Sequence, residues 1–313
     1  MAVRGPSGGI SSRDKMWRSI LPRQAEAQEL ADRLPDILIE AMRIAATISH
    51  GIHGRRRPGP GETFWQFRQY QNTDAAASID WRRSASSDQL FVRESEWEAA
   101  HTFWLWADLS GSMNFQSHLS SRSKRDRALV LLLAIAEILV KGGERIGLIG
   151  LSNPTASRNA VNRLAEIIAA NAASPVCTSG LPPAVQLSRF SGVILLGDFL
   201  DPPAELIERV KTLAAAGVSG HLIQILDPAE ETLPYSGRME FQNPESSQRW
   251  TMDHVESIRE QYVAKLSMHK AKISEQLQRI GWSYLVHHTD TSAAEPLLQL
   301  VLRLQAVEAG GRL

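Results

Sequence analysis

Apolar positions along this chain follow two rhythms in turn. Short, nearly unbroken apolar runs at 102–107 (TFWLWA), 145–151 (RIGLIGL), 192–196 (GVILL), 221–226 and 282–287 suit strands buried on both faces. Between them, residues 125–140, 159–170, 204–216, 252–280 and 294–302 place apolar side chains at helical spacing. The stretch 125–140 is apolar almost all round, opens on charged residues and stops at Gly142-Gly143. Pro202 and Pro203 fit the first turn of the helix over 204–216, and Gly217 and Gly220 close it. Strand–helix–strand units of this length are right-handed crossovers. Their alternation predicts an α/β fold, a doubly wound and mostly parallel sheet. Residues 227–238, with two prolines and Ser236-Gly237, read as a loop or hairpin.

Ahead of this domain the pattern changes. Leu30, Leu34, Ile37, Leu38, Ala41, Ile44, Ala45 and Ile48 predict a helix over 24–49, split or kinked at Pro35 and ended by Gly51 and Gly54. Residues 1–23 are rich in Ser, Gly and Arg, hold two prolines and keep no period, which predicts a mobile arm. Residues 62–97 carry Phe64, Trp65, Phe67 and Tyr70, then an alternating strand over 89–97, and predict a small β-rich module. The expected organisation is therefore an arm (1–23), an N-terminal helix (24–54), a β-rich module (55–98), an α/β domain (99–305) and a tail (306–313).

The candidate chemistry lies where the first domain strand ends. Asp108-Leu109-Ser110-Gly111-Ser112 puts a carboxylate and two hydroxyls on one short loop. Hard oxygen ligands with a single charge suit Mg2+ or Mn2+, although Ser/Gly/Asp clusters after strands also serve as plain turns. Ligands of doubly wound sheets bind outside the carboxyl ends of the strands, where strand order reverses. Asp198 stands at the end of another predicted strand, and Thr178 on a loop over 174–183. If the two strands are neighbours, Asp108, Ser110, Ser112, Thr178 and Asp198 converge on one point. Asp201 reads either as a hydrogen-bond acceptor behind that point or as a helix cap. His287-His288 with Thr289-Asp290 reads as a polar strand terminus in preference to a proton-transfer site, and Trp104 and Trp106 read as core. Arg55, Arg56 and Arg57, followed by Pro-Gly-Pro-Gly, read as a solvated linker in preference to an anion-binding or docking loop.

Composition narrows the function classes. Hydrophobic residues make up 43% and charged residues 22% of 313, as in a globular protein, and the formal net charge is zero. Bulk attraction to nucleic acid or to an anionic membrane is not expected. The single Cys177 excludes an internal disulfide, fits a reducing cytosol, and reads as a small residue packed under its loop. The longest apolar run, 128–140, is interrupted by Glu137 and too short to span a bilayer, and the first residues lack the apolar core of a signal peptide. A cytoplasmic protein with no membrane span is expected. A dinucleotide enzyme would need Gly-x-Gly-x-x-Gly after the first strand, where residues 109–114 offer only Gly111. A metal-dependent hydrolase acting on phosphate esters is the serious rival, yet no nucleophile–base pair stands near either Asp.

Asp-x-Ser-x-Ser after a buried strand, a mid-domain Thr and a later strand-end Asp resemble a von Willebrand factor A-type domain. More specifically, Arg57-Pro-Gly-Pro-Gly-Glu-Thr-Phe, Phe67-Arg-Gln-Tyr70, Ile79-Asp-Trp-Arg82, Val92-Arg-Glu94 and Asp108-Leu-Ser-Gly-Ser-Met are similar to the bacterial "domain of unknown function 58" family. Asp227-Pro-Ala-Glu-Glu-Thr-Leu-Pro, Ser236-Gly-Arg, Gly281-Trp and His287-His-Thr-Asp290 are similar to a subgroup of it. The resemblance implies a metal-ion-dependent adhesion site holding Mg2+ or Mn2+ on Asp108, Ser110, Ser112, Thr178 and Asp198. It implies a non-enzymatic protein-interaction module that partners a MoxR-type AAA+ ATPase in assembling or activating a client protein complex. The surface around 110–115 and 199–202 is then the expected docking face. Two departures stand out. Thr73-Asp-Ala-Ala-Ala77 replaces the family's Gly-Asp-Asp-x-Arg, and Val176-Cys-Thr-Ser-Gly180 replaces the Gly-Gly-Thr that presents the third metal residue. The segment between Leu151 and Asn159 is also short for the antiparallel edge strand common in such domains.

Overall fold

A computed structural model describes residues 12–52, 64–70, 79–85, 89–95, 100–244 and 248–310. The Arg55–Arg57 run lies outside the described residues. Strands β3 (Thr102–Ala107), β4 (Arg145–Leu148), β5 (Gly192–Gly197), β6 (Ser219–Leu226) and β9 (Ser283–His288) form one five-stranded parallel sheet in the order β4-β3-β5-β6-β9. The strand order reverses between β3 and its two neighbours, so both flanks of the β3 carboxyl end belong to the crevice where such sheets bind ligands. The edge strand missing beyond β4 is reduced to one antiparallel bridge, Ile146 to Thr155.

Side chains of β3 alternate between the two faces as strand geometry requires. Phe103, Leu105 and Ala107 join the cluster under α3 (Lys124–Lys141), α4 (Ala160–Asn171) and α9 (Ala294–Gly310). Trp104 and Trp106 face the opposite cluster, beneath α6 (Pro203–Ala215) and α8 (Arg259–Arg279), as core residues. Helix α3 is buried almost all round because the sheet takes one side and α1 (Ser12–Ile52) the other. Each fully buried Leu or Ile on it contributes about 1.5–3 kcal/mol. Leu30, Leu34, Ile37, Ala41, Ala45 and Ile48 form the buried stripe of α1, and Arg122 Nη2 donates to Glu40 Oε2 at 2.6 Å across the α1–α3 seam. Arg33 and Asp126 form a second ion pair there.

Two expectations at the N-terminus are corrected. The helix begins at Ser12, inside the stretch expected to be an arm, and runs unbroken through Pro35. Pro35 removes one backbone bond, at roughly 3 kcal/mol, but buried residues on both sides of it hold the helix on α3. Upstream, Met16, Trp17, Ile20 and Leu21 do recur at helical spacing, over little more than one turn before Pro22 interrupts the sequence pattern. The β-rich module is present in outline. Strand β1 (Phe64–Gln69) pairs antiparallel with β2 (Phe91–Ser95), and the one-turn helix α2 (Trp81–Ser84) is capped by Asp80.

Two further corrections fall after β6. The expected loop over 227–238 contains the one-turn helix α7 (Pro228–Thr232), and β7 (Met239–Gln242) pairs with β8 (Arg249–Met252) as a hairpin. Both are too short to carry a readable period. The long helix expected from 252 therefore starts at Arg259, after a 3-10 turn over Val255–Ile258.

Gly220 on β6 lies flat against the Trp282 indole, and a Cβ at that position would fall inside the ring. Gly220→Ala should cost roughly 1–3 kcal/mol of overpacking, read by urea denaturation. Combined with Trp282→Leu it should cost less than the sum of the two single changes, because one removes the obstacle met by the other.

Candidate metal centre

Asp108 is the first residue beyond β3, and its backbone N–H continues the ladder by donating to Leu196 O on β5 at 2.8 Å. This register brings Asp108 beside Asp198, which follows β5 directly. The close approach needs Gly197, where a Cβ would sit 3.0 Å from Asp108 Cβ. The loop then doubles back. Ser110 N–H donates to Asp108 Oδ1 at 2.8 Å, an Asx turn that fixes the carboxylate, and a 3-10 turn follows over Gly111–Asn114. Ser110 Oγ and Ser112 Oγ lie 3.2 Å apart, and Ser112 Oγ donates to Asp198 Oδ2 at 2.7 Å. Asp108, Ser110, Ser112 and Asp198 therefore form one hydrogen-bonded set, and the conditional neighbourhood of β3 and β5 holds.

Thr178 does not join that set. It closes the short helix α5 (Pro175–Thr178), and its hydroxyl donates to Ser174 O at 3.1 Å. The loop instead approaches through its backbone. A Cβ on Gly180 would lie 3.3 Å from Asp201 Oδ2 and 3.8 Å from Asp108 Oδ2. Asp201 thus belongs at the rim of the site and is not the residue preceding α6. Cys177 is buried, its thiol is pushed up by burial, and its carbonyl accepts from Leu109 N–H at 3.0 Å, as a packed residue under the loop would.

Sequence reasoning missed the cation of the site. Lys124, at the first position of α3, is 0% exposed, and its Nζ donates to Asp198 Oδ2 at 2.8 Å and to Glu230 Oε1 at 2.5 Å. Burial pushes its pKa down, but the two carboxylates outweigh that and hold it above the ordinary lysine value. The turn after β5 is held equally firmly. Gln224 Nε2 donates to Asp198 O at 2.6 Å, and the ring of His269 on α8 meets Phe199 O through Nε2 at 2.7 Å. Phe199 sits at φ +46°, a strained conformation for a bulky residue, with its ring buried against Trp106. It is therefore lost to any docking face, whereas Phe115 on the other side of the site is 38% exposed.

His288 pairs with Glu231, and burial pushes His287 down to about 3, so it stays neutral.

Asp108 Oδ2 is buried and has no hydrogen-bond partner among the described residues. Burial, helped by the charge of Asp198, pushes the Asp108 pKa up to about 7. An orphaned carboxylate oxygen beside two serine hydroxyls is a set of hard donors, and it fits Mg2+ or Mn2+ with water completing the shell. Among the described residues no group of three Asp, Glu, His or Cys side chains gathers as in an all-protein cage. Such an ion would supply the positive charge that Asp108 lacks. Because the folded pKa lies above the unfolded value of 3.8, Asp108 favours the folded state below about pH 4. That contribution is lost as pH rises towards 7, by up to roughly 4 kcal/mol. In chelator, Asp108→Asn should therefore be more stable than wild type at pH 8, and the gap should close as pH falls to 4, as followed by denaturant unfolding.

Comparison with known proteins agrees with the motifs. Uncharacterized proteins of Mycobacterium bovis and Mycobacterium tuberculosis are each 24% identical over 299 residues, spanning 90% of this chain and 92% of theirs. The crystal structure of conserved hypothetical protein BatB from Bacteroides thetaiotaomicron overlays 66% of this chain and all of its own, at 15% identity and TM-score 0.37. An aerotolerance-related membrane protein from Bacteroides fragilis gives 15% identity, 64% and 98% coverage and TM-score 0.36. No helix among the described residues here is long and apolar enough to cross a membrane. The family described as "Protein of unknown function DUF58" matches residues 66–272, and the chain belongs to it.

Proposed function

We propose that residues 99–305 form a von Willebrand factor A-like domain whose Asp108, Ser110, Ser112 and Asp198 hold Mg2+ or Mn2+, and that the protein is an ion-dependent protein-interaction module. One observation carries this reading: a buried, unpartnered carboxylate oxygen at the carboxyl end of β3, next to two hydroxyls. An ion there keeps several waters in place of protein ligands. An acidic side chain of another protein can replace one of these waters in a charge-assisted contact. Exposed Phe115 and Leu119 supply apolar area beside it. The resemblance noted above supports a MoxR-type AAA+ ATPase and a client protein as the partners.

The rival hydrolase reading lacks an activated nucleophile. Ser112 Oγ does meet a carboxylate, but the same Asp198 oxygen already accepts Lys124 Nζ, and Asp108 Oδ2 makes no hydrogen bond to either serine hydroxyl. The purified protein should hydrolyse phosphate esters no faster than background in Mg2+. A turnover abolished by Asp198→Ala would establish the hydrolase instead.

Ion binding to the folded state alone stabilises it by mass action, by about 2.7 kcal/mol at a hundredfold excess over Kd. Thermal melts in millimolar Mg2+ or Mn2+ should shift upward for wild type and stay fixed for Asp108→Ala. Capture of the ATPase from lysate should follow the same pattern, being lost in chelator and in the variant. Equal melting points with and without ion, up to high concentration, would contradict the reading.

A further inference from the structure

We propose that Lys124 and Glu230 set the ion affinity of this site. The proposal rests on the metal reading above and adds a positioning role to residues outside the motif. Asp198 Oδ2 serves two donors: Ser112 Oγ on the ion side at 2.7 Å and Lys124 Nζ behind it at 2.8 Å. How far the ammonium withdraws that oxygen depends on how much of the ammonium another carboxylate takes. Glu230 Oε1, at 2.5 Å from Nζ, takes that share.

The Lys124 ammonium has no route to water, since the side chain is 0% exposed and the Phe115 ring lies 5.9 Å from Nζ. A buried ion pair of this kind is seldom more stable than apolar residues of the same size. Fold stability therefore does not explain the charges, whereas their contact with Asp198 gives them an effect. Glu230 is also mechanically tied to the surroundings. Its Oε2 accepts Asp227 N–H at 2.9 Å, and the Asp227 carboxylate accepts Ala229 N–H and Ser117 N–H, each at 2.9 Å. Helix α7, the loop bearing Phe115 and Lys124 thus form one linked unit.

The test is titration of the full chain with Mn2+, following free ion by electron paramagnetic resonance. Glu230→Gln keeps a side chain compatible with the capping box of α7 and should raise the Mn2+ Kd about tenfold, the effect of one buried charge near a divalent ion. The paired change Lys124→Met with Glu230→Met keeps the net charge of the site but leaves Asp198 Oδ2 without its ammonium, and should lower the Kd below wild type. Glu231→Gln removes the same formal charge from the next residue, which pairs with Lys270 and His288 and not with Lys124; it should leave the Kd within about twofold, since that carboxylate is solvated and screened. Equal effects of Glu230→Gln and Glu231→Gln, or none from Glu230→Gln while wild type binds Mn2+, overturn the proposal and leave the metal reading standing. No Mn2+ binding by wild type removes both.

Discussion

Two carboxylates are buried side by side at the ends of adjacent parallel strands, and much of the local architecture answers that one electrostatic problem. Asp108 and Asp198 are 1% and 5% exposed, and the β3–β5 register forces them together. Desolvation and mutual repulsion oppose both charges being present at once. The chain responds asymmetrically. Asp198 receives a permanent ammonium, while Asp108 keeps an unpartnered oxygen and takes up a proton near neutrality. The open valence is thus confined to the side where the two serine hydroxyls stand.

This arrangement depends on helix packing distant from it. Lys124 reaches Asp198 only because α3 is pinned along its length, between the sheet on one side and the stripe of α1 on the other. Arg122 and Arg127 both engage Glu40 of α1, so the turn carrying Lys124 is fixed from outside as well as from within. On the opposite face, α8 holds the Asp198–Leu200 turn through His269, against the strain at Phe199. The N-terminal helix and α8 therefore act on the site without touching its ligands.

What was legible in the sequence follows from how local each signal is. The strands of the sheet and α3 announced themselves because a buried strand or a helix buried all round leaves a continuous apolar signature. Asp108, Ser110, Ser112 and Asp198 were legible because a strand end positions them. Lys124 was not, since a lysine after a Ser cap looks like any solvated helix start until the residues 74 and 106 positions away are brought to it. The contact of Thr178 was not legible either, because a single turn of helix, invisible to periodicity, turns its hydroxyl to Ser174 O. For α7 the signal was present and unused: Asp227, Pro228 and Glu230 spell a capped helix start. The start of α1 was hidden because the helical spacing of Met16, Trp17, Ile20 and Leu21 lasts little more than one turn before Pro22.

An ion-dependent role requires that a cation bind between Asp108 and the hydroxyls of Ser110 and Ser112. The most direct measurement is anomalous diffraction above the manganese edge from crystals of the full chain grown in Mn2+. A single strong peak in contact with Ser110 Oγ and Ser112 Oγ, beside Asp108 Oδ2 and with Lys124 still on Asp198, is the predicted result. No peak there in crystals that bind manganese elsewhere, or a peak that displaces Lys124 from Asp198, would contradict it.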